Sequence, residues 1–172
     1  MFMRMRNARR KLPDLALALW LGLSLALACG AASAQSTAIK GQAMQPQGTL
    51  LDGQAYNPSR LKGKVTMVFY WSTNCGVCLS HMPELRANTA GWRGKPFELV
   101  TVNVDAADVD WRAYEQIAAK TQMPGLVPIW AGKGASQKLP VTLVLDVQGK
   151  VAERYEGRIA PEAWDAVAEI LP

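Results

Sequence analysis

Cys75 and Cys78 are separated by Gly76 and Val77, and the chain's single histidine, His81, follows three residues later. Residues of these types at this spacing suit three kinds of chemistry: a structural disulfide, part of a metal centre, or a dithiol that cycles between thiol and disulfide. A disulfide stabilises most when it closes a long loop, and a two-residue gap closes almost none, so the pair is a poor staple. A structural zinc site takes four ligands, whereas Cys75, Cys78 and His81 supply three at most and no second C-x-x-C is present. Cu(I) accepts two thiolates and Met82 is adjacent in sequence, so a Cu(I) carrier stands as a rival. The residue types match dithiol chemistry best, with no bound metal.

The flanking pattern says what would hold such a dithiol. Residues 65–71, Val-Thr-Met-Val-Phe-Tyr-Trp, form a continuous run suited to a strand buried on both faces. Beyond the first cysteine, Cys78, Met82, Leu85 and Thr89 recur at helical spacing and predict an inward stripe, with Pro83 as a kink. Cys75 then falls at a helix N-terminus, where unpaired backbone N–H groups and the positive dipole end favour a thiolate. Residues i and i+3 at a helix start also meet the Cα separation of about 4.4–6.8 Å that a disulfide requires. Cys75 is therefore the predicted nucleophile. Cys78, a turn further along the inward stripe, is the predicted resolving cysteine.

Residues 97–104 read as a second strand, and Trp111, Tyr114, Ile117, Ala118 and Thr121 mark one helical face ended by Pro124-Gly125. Residues 126–130 are a brief apolar piece. Residues 141–146 and 150–156 form a strand pair about Val147-Gln148-Gly149, and Pro161 opens a last helix with Ala163, Trp164, Val167, Ala168 and Leu171 as its stripe. Residues 49–53 suggest a short strand and 58–64 a loop. The order β–α–β–α–β–β–α predicts an α/β domain, a mixed sheet with helices on both faces.

Residues 1–34 read as an export signal rather than fold. Arg4, Arg6, Arg9, Arg10 and Lys11 precede an uncharged Leu- and Ala-rich run over 15–34 that ends in Ala32-Ser33-Ala34. Two rival readings are an uncleaved membrane anchor and lipid attachment at Cys29, where Ala26 departs from the usual lipobox. The expected organisation is signal or anchor over 1–34, a flexible lead-in over 35–48 and one domain over 49–172. Of 19 basic and 14 acidic residues, five basic and Asp14 lie in the signal, so the rest is nearly neutral at 14 against 13. No basic patch with interleaved aromatics appears, which excludes a nucleic-acid binder. The export signal predicts the periplasm, a compartment that permits disulfides.

Several stretches fall in a familiar order. Leu61-Lys62-Gly63-Lys64 precedes the first core strand, Val68-Phe69-Tyr70-Trp71 leads to Cys75-Gly76-Val77-Cys78, and Pro83 lies five residues past the second cysteine. Leu139-Pro140-Val141-Thr142 then opens the next strand, with 146–150 as a hairpin turn. In this order the chain resembles the exported thioredoxin-fold thiol–disulfide oxidoreductases of the TlpA/ResA-like family. The resemblance implies a thioredoxin fold, a central mixed sheet flanked by helices with a short N-terminal strand extension. It also implies a protein-disulfide reductase with no cofactor beyond the dithiol. Its electrons would come from a membrane thiol donor, and its clients would be exported proteins such as cytochrome c apoproteins and copper-site assembly factors. Pro140 would be cis and face the dithiol, Leu139 would offer backbone groups to an extended substrate, and Trp71 would border the site. An oxidant that donates disulfides, and a Cu(I) carrier or partner-binding module on the same fold, remain the alternatives. Gly76 and Val77 match neither thioredoxin's Gly-Pro nor the Pro-His of strong oxidants, so they are candidates for tuning the potential without fixing its direction.

The departures from that pattern are specific. Phe69 stands where thioredoxins carry a buried acid, and Asn74 replaces a common tryptophan and is a candidate helix cap. His81 stands where ResA-type relatives have a glutamate. It is a candidate to tune the cysteines, as imidazolium or as a base, beside the plainer reading of an exposed helical histidine. Asp105, Asp108 and Asp110 lack the spacing of a calcium loop and are expected to cap and charge the helix at Trp111. Gly132-Lys133-Gly134 is too short to cradle phosphate.

Overall fold

The computed structural model describes residues 40–122, 124–132 and 138–172. The expected export segment over 1–34 lies outside the described residues. Val65–Trp71 forms β1, buried along its whole length as its apolar run requires. It lies at the centre of a five-stranded sheet. β2 (Phe97–Asn103) pairs with it in parallel and β4 (Val141–Leu145) antiparallel, while β3 (Val127–Trp130) adds to β2 in parallel and β5 (Val151–Glu156) to β4 antiparallel. The order is β3-β2-β1-β4-β5. Parallel neighbours need crossovers, and α1 (Gly76–Gly91) and α2 (Val109–Thr121) supply them; α3 (Pro161–Ile170) closes the fold. This is the mixed sheet with flanking helices that the resemblance implied.

Alternation along the strands divides the core. Met67, Phe69 and Trp71, with Leu99 and Val144, pack against Cys78, Met82 and Leu85 of α1, Trp111 of α2, and Ala163 and Val167 of α3. The other face, with Val68, Tyr70, Val100 and Leu143, is covered by Tyr56, Met44, Leu50 and Leu61 from the N-terminal segment. Helices were expected on both faces, yet all three feed one core. Two successive crossovers moving the same way across a sheet, β1 to β2 to β3, place both helices on one side when each has the usual hand.

Four further expectations are corrected. The apolar piece at 126–130 is a full edge strand, with Pro128 tolerated at the sheet margin. The N-terminal strand extension is reduced to isolated bridges, Thr49 with Ala55 and Trp130, followed by a 3-10 turn at Pro58–Leu61. The described part of the lead-in is tied to the sheet: Gly41 N–H donates to Val151 O (2.7 Å) and Met44 N–H to Gly149 O (2.9 Å). On α2, Ile117 is exposed and Glu115 buried, the reverse of the apolar pattern.

The reason is an ion pair between helices. Arg86 of α1 reaches Glu115 of α2 at 2.9 Å, with both side chains almost fully buried. Burial pushes the Glu115 carboxyl up, opposed by the charge and hydrogen bond of Arg86. Removing one member of a buried pair strands the other. Arg86→Met is expected to lower the unfolding free energy by about 3–5 kcal/mol, while Arg86→Met with Glu115→Leu recovers most of that loss. Denaturant unfolding of the two variants measures the difference; equal losses would show that the pair is not the cause.

Candidate active site

β1 ends at Trp71 and α1 starts at Gly76, so residues 72–75 carry the chain from the core to the surface. Cys75 is the N-cap residue, in extended conformation (φ −100°, ψ 97°), and its Sγ accepts the N–H of Cys78 at 3.2 Å. Asn74, the candidate cap, is exposed and does not serve; the cysteine sulfur takes the place of the usual capping oxygen. Cys75 and Cys78 are joined as a disulfide with Cα atoms 5.2 Å apart. Cys75 is partly exposed and Cys78 fully buried. Val77 is 44% exposed, leaving an apolar rim beside the partly exposed Cys75.

Three further expected residues lie in the surrounding core. Trp71 is buried in the cluster that holds Cys78, edge-on to Tyr114 with centroids 5.0 Å apart. Leu139 is half-buried and packs against both halves of the core. The Leu139–Pro140 peptide is cis, and the Pro140 carbonyl accepts Gly157 N–H at 2.8 Å. Gly76 is exposed in the first turn of α1, with open space where a Cβ would stand.

His81 is neither exposed nor open to the dithiol through both nitrogens. Its side chain is 1% exposed, Nε2 accepts Ile159 N–H at 3.2 Å, and Nδ1 lies 3.4 Å from Glu84 Oε2. A ring that accepts at Nε2 has no lone pair left there to take a proton from a cysteine. The contact ties the dithiol helix to the turn that opens α3. His81 sits on the flank of the 78–82–85–89 stripe, where periodicity alone is ambiguous between surface and core.

The sequence reading missed Asp105, which it placed as a cap for α2. Its carboxylate instead accepts Ser72 Oγ, Thr73 N–H (3.1 Å), Thr73 Oγ1 (2.8 Å) and Asn103 Nδ2 (2.9 Å). Asn74 N–H donates in turn to Ser72 Oγ (3.1 Å) and Cys75 N–H to Ser72 O (3.1 Å). Trp130 donates its Nε1–H to Asp105 O at 2.9 Å. Burial pushes the Asp105 carboxyl up, but the hydrogen bonds from Ser72, Asn103 and Thr73 outweigh it and hold the group below its ordinary value. A signal for this role was available: Asp105 lies two residues past the strand register Trp71–Asn103, at the carboxyl ends of two parallel strands, where α/β proteins place their sites.

Among the described residues no group of three or more His, Cys, Asp or Glu side chains is arranged to hold a metal. An open cavity of about 550 Å³ lined by Met44, Leu61, Leu145 and Val147, with Lys62 and Lys64, lies at the opposite end of β1 from the cysteines. It is therefore separate from the dithiol.

With this geometry in view, the chain's relatives are informative. The chain belongs to the AhpC/TSA family, whose pattern matches residues 39–168. It is 25% identical over 122 residues to the thiol-disulfide oxidoreductase ResA of Bacillus thuringiensis (strain Al Hakam), covering 66% of this chain and 67% of the relative. Its fold is similar to that of a thiol:disulfide interchange protein DsbE from Chlorobium tepidum, with a TM-score of 0.67, 21% identity, and coverage of 79% of this chain and 100% of that one. A secreted Mycobacterium tuberculosis disulfide oxidoreductase homologous to E. coli DsbE aligns with a TM-score of 0.58 at 18% identity, over 73% of this chain and 96% of that one. These likenesses bear out a thioredoxin-fold thiol–disulfide oxidoreductase of the TlpA/ResA type.

The anchors of the site carry two predictions. His81→Ala leaves the buried Ile159 N–H without its acceptor and is expected to cost about 1–3 kcal/mol in denaturant unfolding; wild-type stability would show that water replaces the ring. Asp105 has a lowered carboxyl, so its ionised form stabilises the fold fully above the ordinary value of 3.8. That contribution is lost as pH falls through the lower folded value. Stability measured from about pH 6 down to about pH 3 should therefore fall more steeply in wild type than in Asp105→Asn.

Proposed function

We propose that this protein is an exported reductase of disulfides in extracytoplasmic proteins, with Cys75 as nucleophile and Cys78 as resolving cysteine. The observation that carries the reading is the asymmetry of the pair: a partly exposed sulfur at an extended N-cap, next to a fully buried one on the helix's inward stripe. In the reductive direction the Cys75 thiolate attacks a substrate disulfide, forming a mixed disulfide and expelling one substrate thiolate. That thiolate is the base nearest to hand and takes the Cys78 proton. Cys78 then attacks the Cys75 sulfur, expelling the second substrate thiolate and closing the Cys75–Cys78 disulfide. Two electrons pass to the substrate, and a membrane thiol donor restores them.

Leu139 and Pro140 supply the substrate-binding wall in this reading. Leu139 is half-buried between the two halves of the core, and Val77 provides an apolar rim for an extended segment. Gly76, Val77 and Trp71 are the residues that tune the pair. His81 anchors the helix, because its Nε2 is committed to Ile159. Cytochrome c apoproteins and copper-site assembly factors are the proposed clients, and the periplasm the proposed location. The secreted Mycobacterium relative supports that location.

The direction of transfer is tested by the reduction potential against glutathione. A value near −270 mV is expected, like the reductants of this fold, and a value near −120 mV would mark an oxidant instead. Cys78→Ser should trap a mixed disulfide with a model protein disulfide, whereas Cys75→Ser should form none. If Cys75→Ser traps as well as Cys78→Ser, the assigned roles are wrong.

A further inference from the structure

The β1–α1 turn is fastened by a charge with no cationic partner among the described residues. Every donor to the Asp105 carboxylate is uncharged: the Ser72 and Thr73 hydroxyls, the Thr73 N–H and the Asn103 amide. No ion pair to Asp105 occurs among the described residues. Among the described residues, the other charged groups on flanking elements are committed or exposed. Asp108 pairs with Arg112 and Glu84 faces His81 Nδ1, while Asp110 and Lys138 are exposed. The hydrogen bonds hold the Asp105 carboxyl below its ordinary value, so it is ionised wherever the protein works.

This charge is close to the reactive sulfur. Thr73, bonded to the carboxylate through N–H and Oγ1, lies two residues before Cys75, a span of at most about 7 Å between Cα atoms. The Cys75 N–H to Ser72 O bond folds the chain back and shortens that reach. Asp105 is therefore joined to Cys75 by one hydrogen bond and two residues of chain, through partly buried protein where salt screens charge less than in bulk water.

We infer that Asp105 is a positioning residue that does more than fasten the turn, because its charge, unpaired among the described residues, opposes the Cys75 thiolate and keeps the dithiol reducing. Two fixed fields meet at Cys75. The unpaired N–H groups at the start of α1 favour the thiolate, and Asp105, on the other side of the turn, disfavours it. The thiolate belongs to the reduced form, so whatever disfavours it lowers the reduction potential. The inference rests on the proposed reductase reading and names a residue that would set its direction.

The test compares wild type, Asp105→Asn and Ser72→Ala. Asp105→Asn keeps the size of the side chain and removes the charge; Ser72→Ala removes one bond of the turn and keeps the charge. In Asp105→Asn the acid dissociation constant of Cys75, read by thiolate absorbance, should rise about three- to tenfold. At a pH above the Cys75 midpoint, where the reduced pair carries the thiolate, the equilibrium with glutathione should then shift toward the dithiol by a similar factor, roughly 15–30 mV. Both differences should shrink as salt is raised, as a charge effect must. Ser72→Ala should lose thermal stability and leave the Cys75 midpoint with wild type. If Asp105→Asn leaves the midpoint unmoved, or Ser72→Ala moves it as far, Asp105 is a strut alone and the inference is overturned. A wild-type potential near −120 mV would sink the reductase reading on its own, while the Asp105→Asn difference would still report on Asp105.

Discussion

A chain that leaves a fully buried strand and must begin a helix within four residues has few solutions. Its backbone groups come out of a sheet ladder, and the first N–H groups of the helix have no partners within it. Here the turn is satisfied from outside. Asp105, at the end of the neighbouring parallel strand, accepts from three groups on Ser72 and Thr73, and Ser72 passes the order on to Asn74 and Cys75. The helix then opens on Cys75, whose sulfur accepts Cys78 N–H. The position of the reactive atom thus depends on a residue thirty positions away in sequence, brought near only because β1 and β2 run parallel with Trp71 opposite Asn103.

The same dependence explains what could be read in advance. The strand at 65–71, the stripe through Cys78, Met82, Leu85 and Thr89, and the placement of Cys75 at a helix start are local patterns, and the fold carries all of them as structure. Features set by contacts between elements were not legible in that way. Glu115 is buried and Ile117 exposed because Arg86 meets α2 from α1, which no periodicity within α2 announces. β3 is only four residues long and contains a proline, so nothing but its pairing with β2 marks it as a strand. His81 is a core residue because Ile159, on the approach to α3, supplies a donor from far along the chain.

The absence of an acid at Phe69 has a structural counterpart. Sheet register places Thr101 and Thr142 on either side of Phe69, on the face that holds Cys78, and the buried hydroxyls of both have no hydrogen-bond partner among the described residues. That row is apolar or neutral throughout, and the Phe69 ring meets the His81 ring edge-on at 6.5 Å. Charge relevant to the dithiol is consequently not beneath it but at its open side, in the turn fastened by Asp105.

That relocation matters for exchange chemistry. A buried acid beneath the pair would act on Cys78, the cysteine with no exposure. A charge in the turn acts first on Cys75, the partly exposed member of the pair. In the proposed reductive cycle a base is still needed for Cys78, but the first substrate thiolate would be released at the site itself, so no resident acceptor is required for that proton. Control over how readily the pair gives up electrons then falls to the balance at Cys75 between helix N–H groups and a nearby carboxylate. Both are fixed by backbone geometry and hydrogen bonds, so the balance can be set by the fold and altered by one residue without disturbing the core.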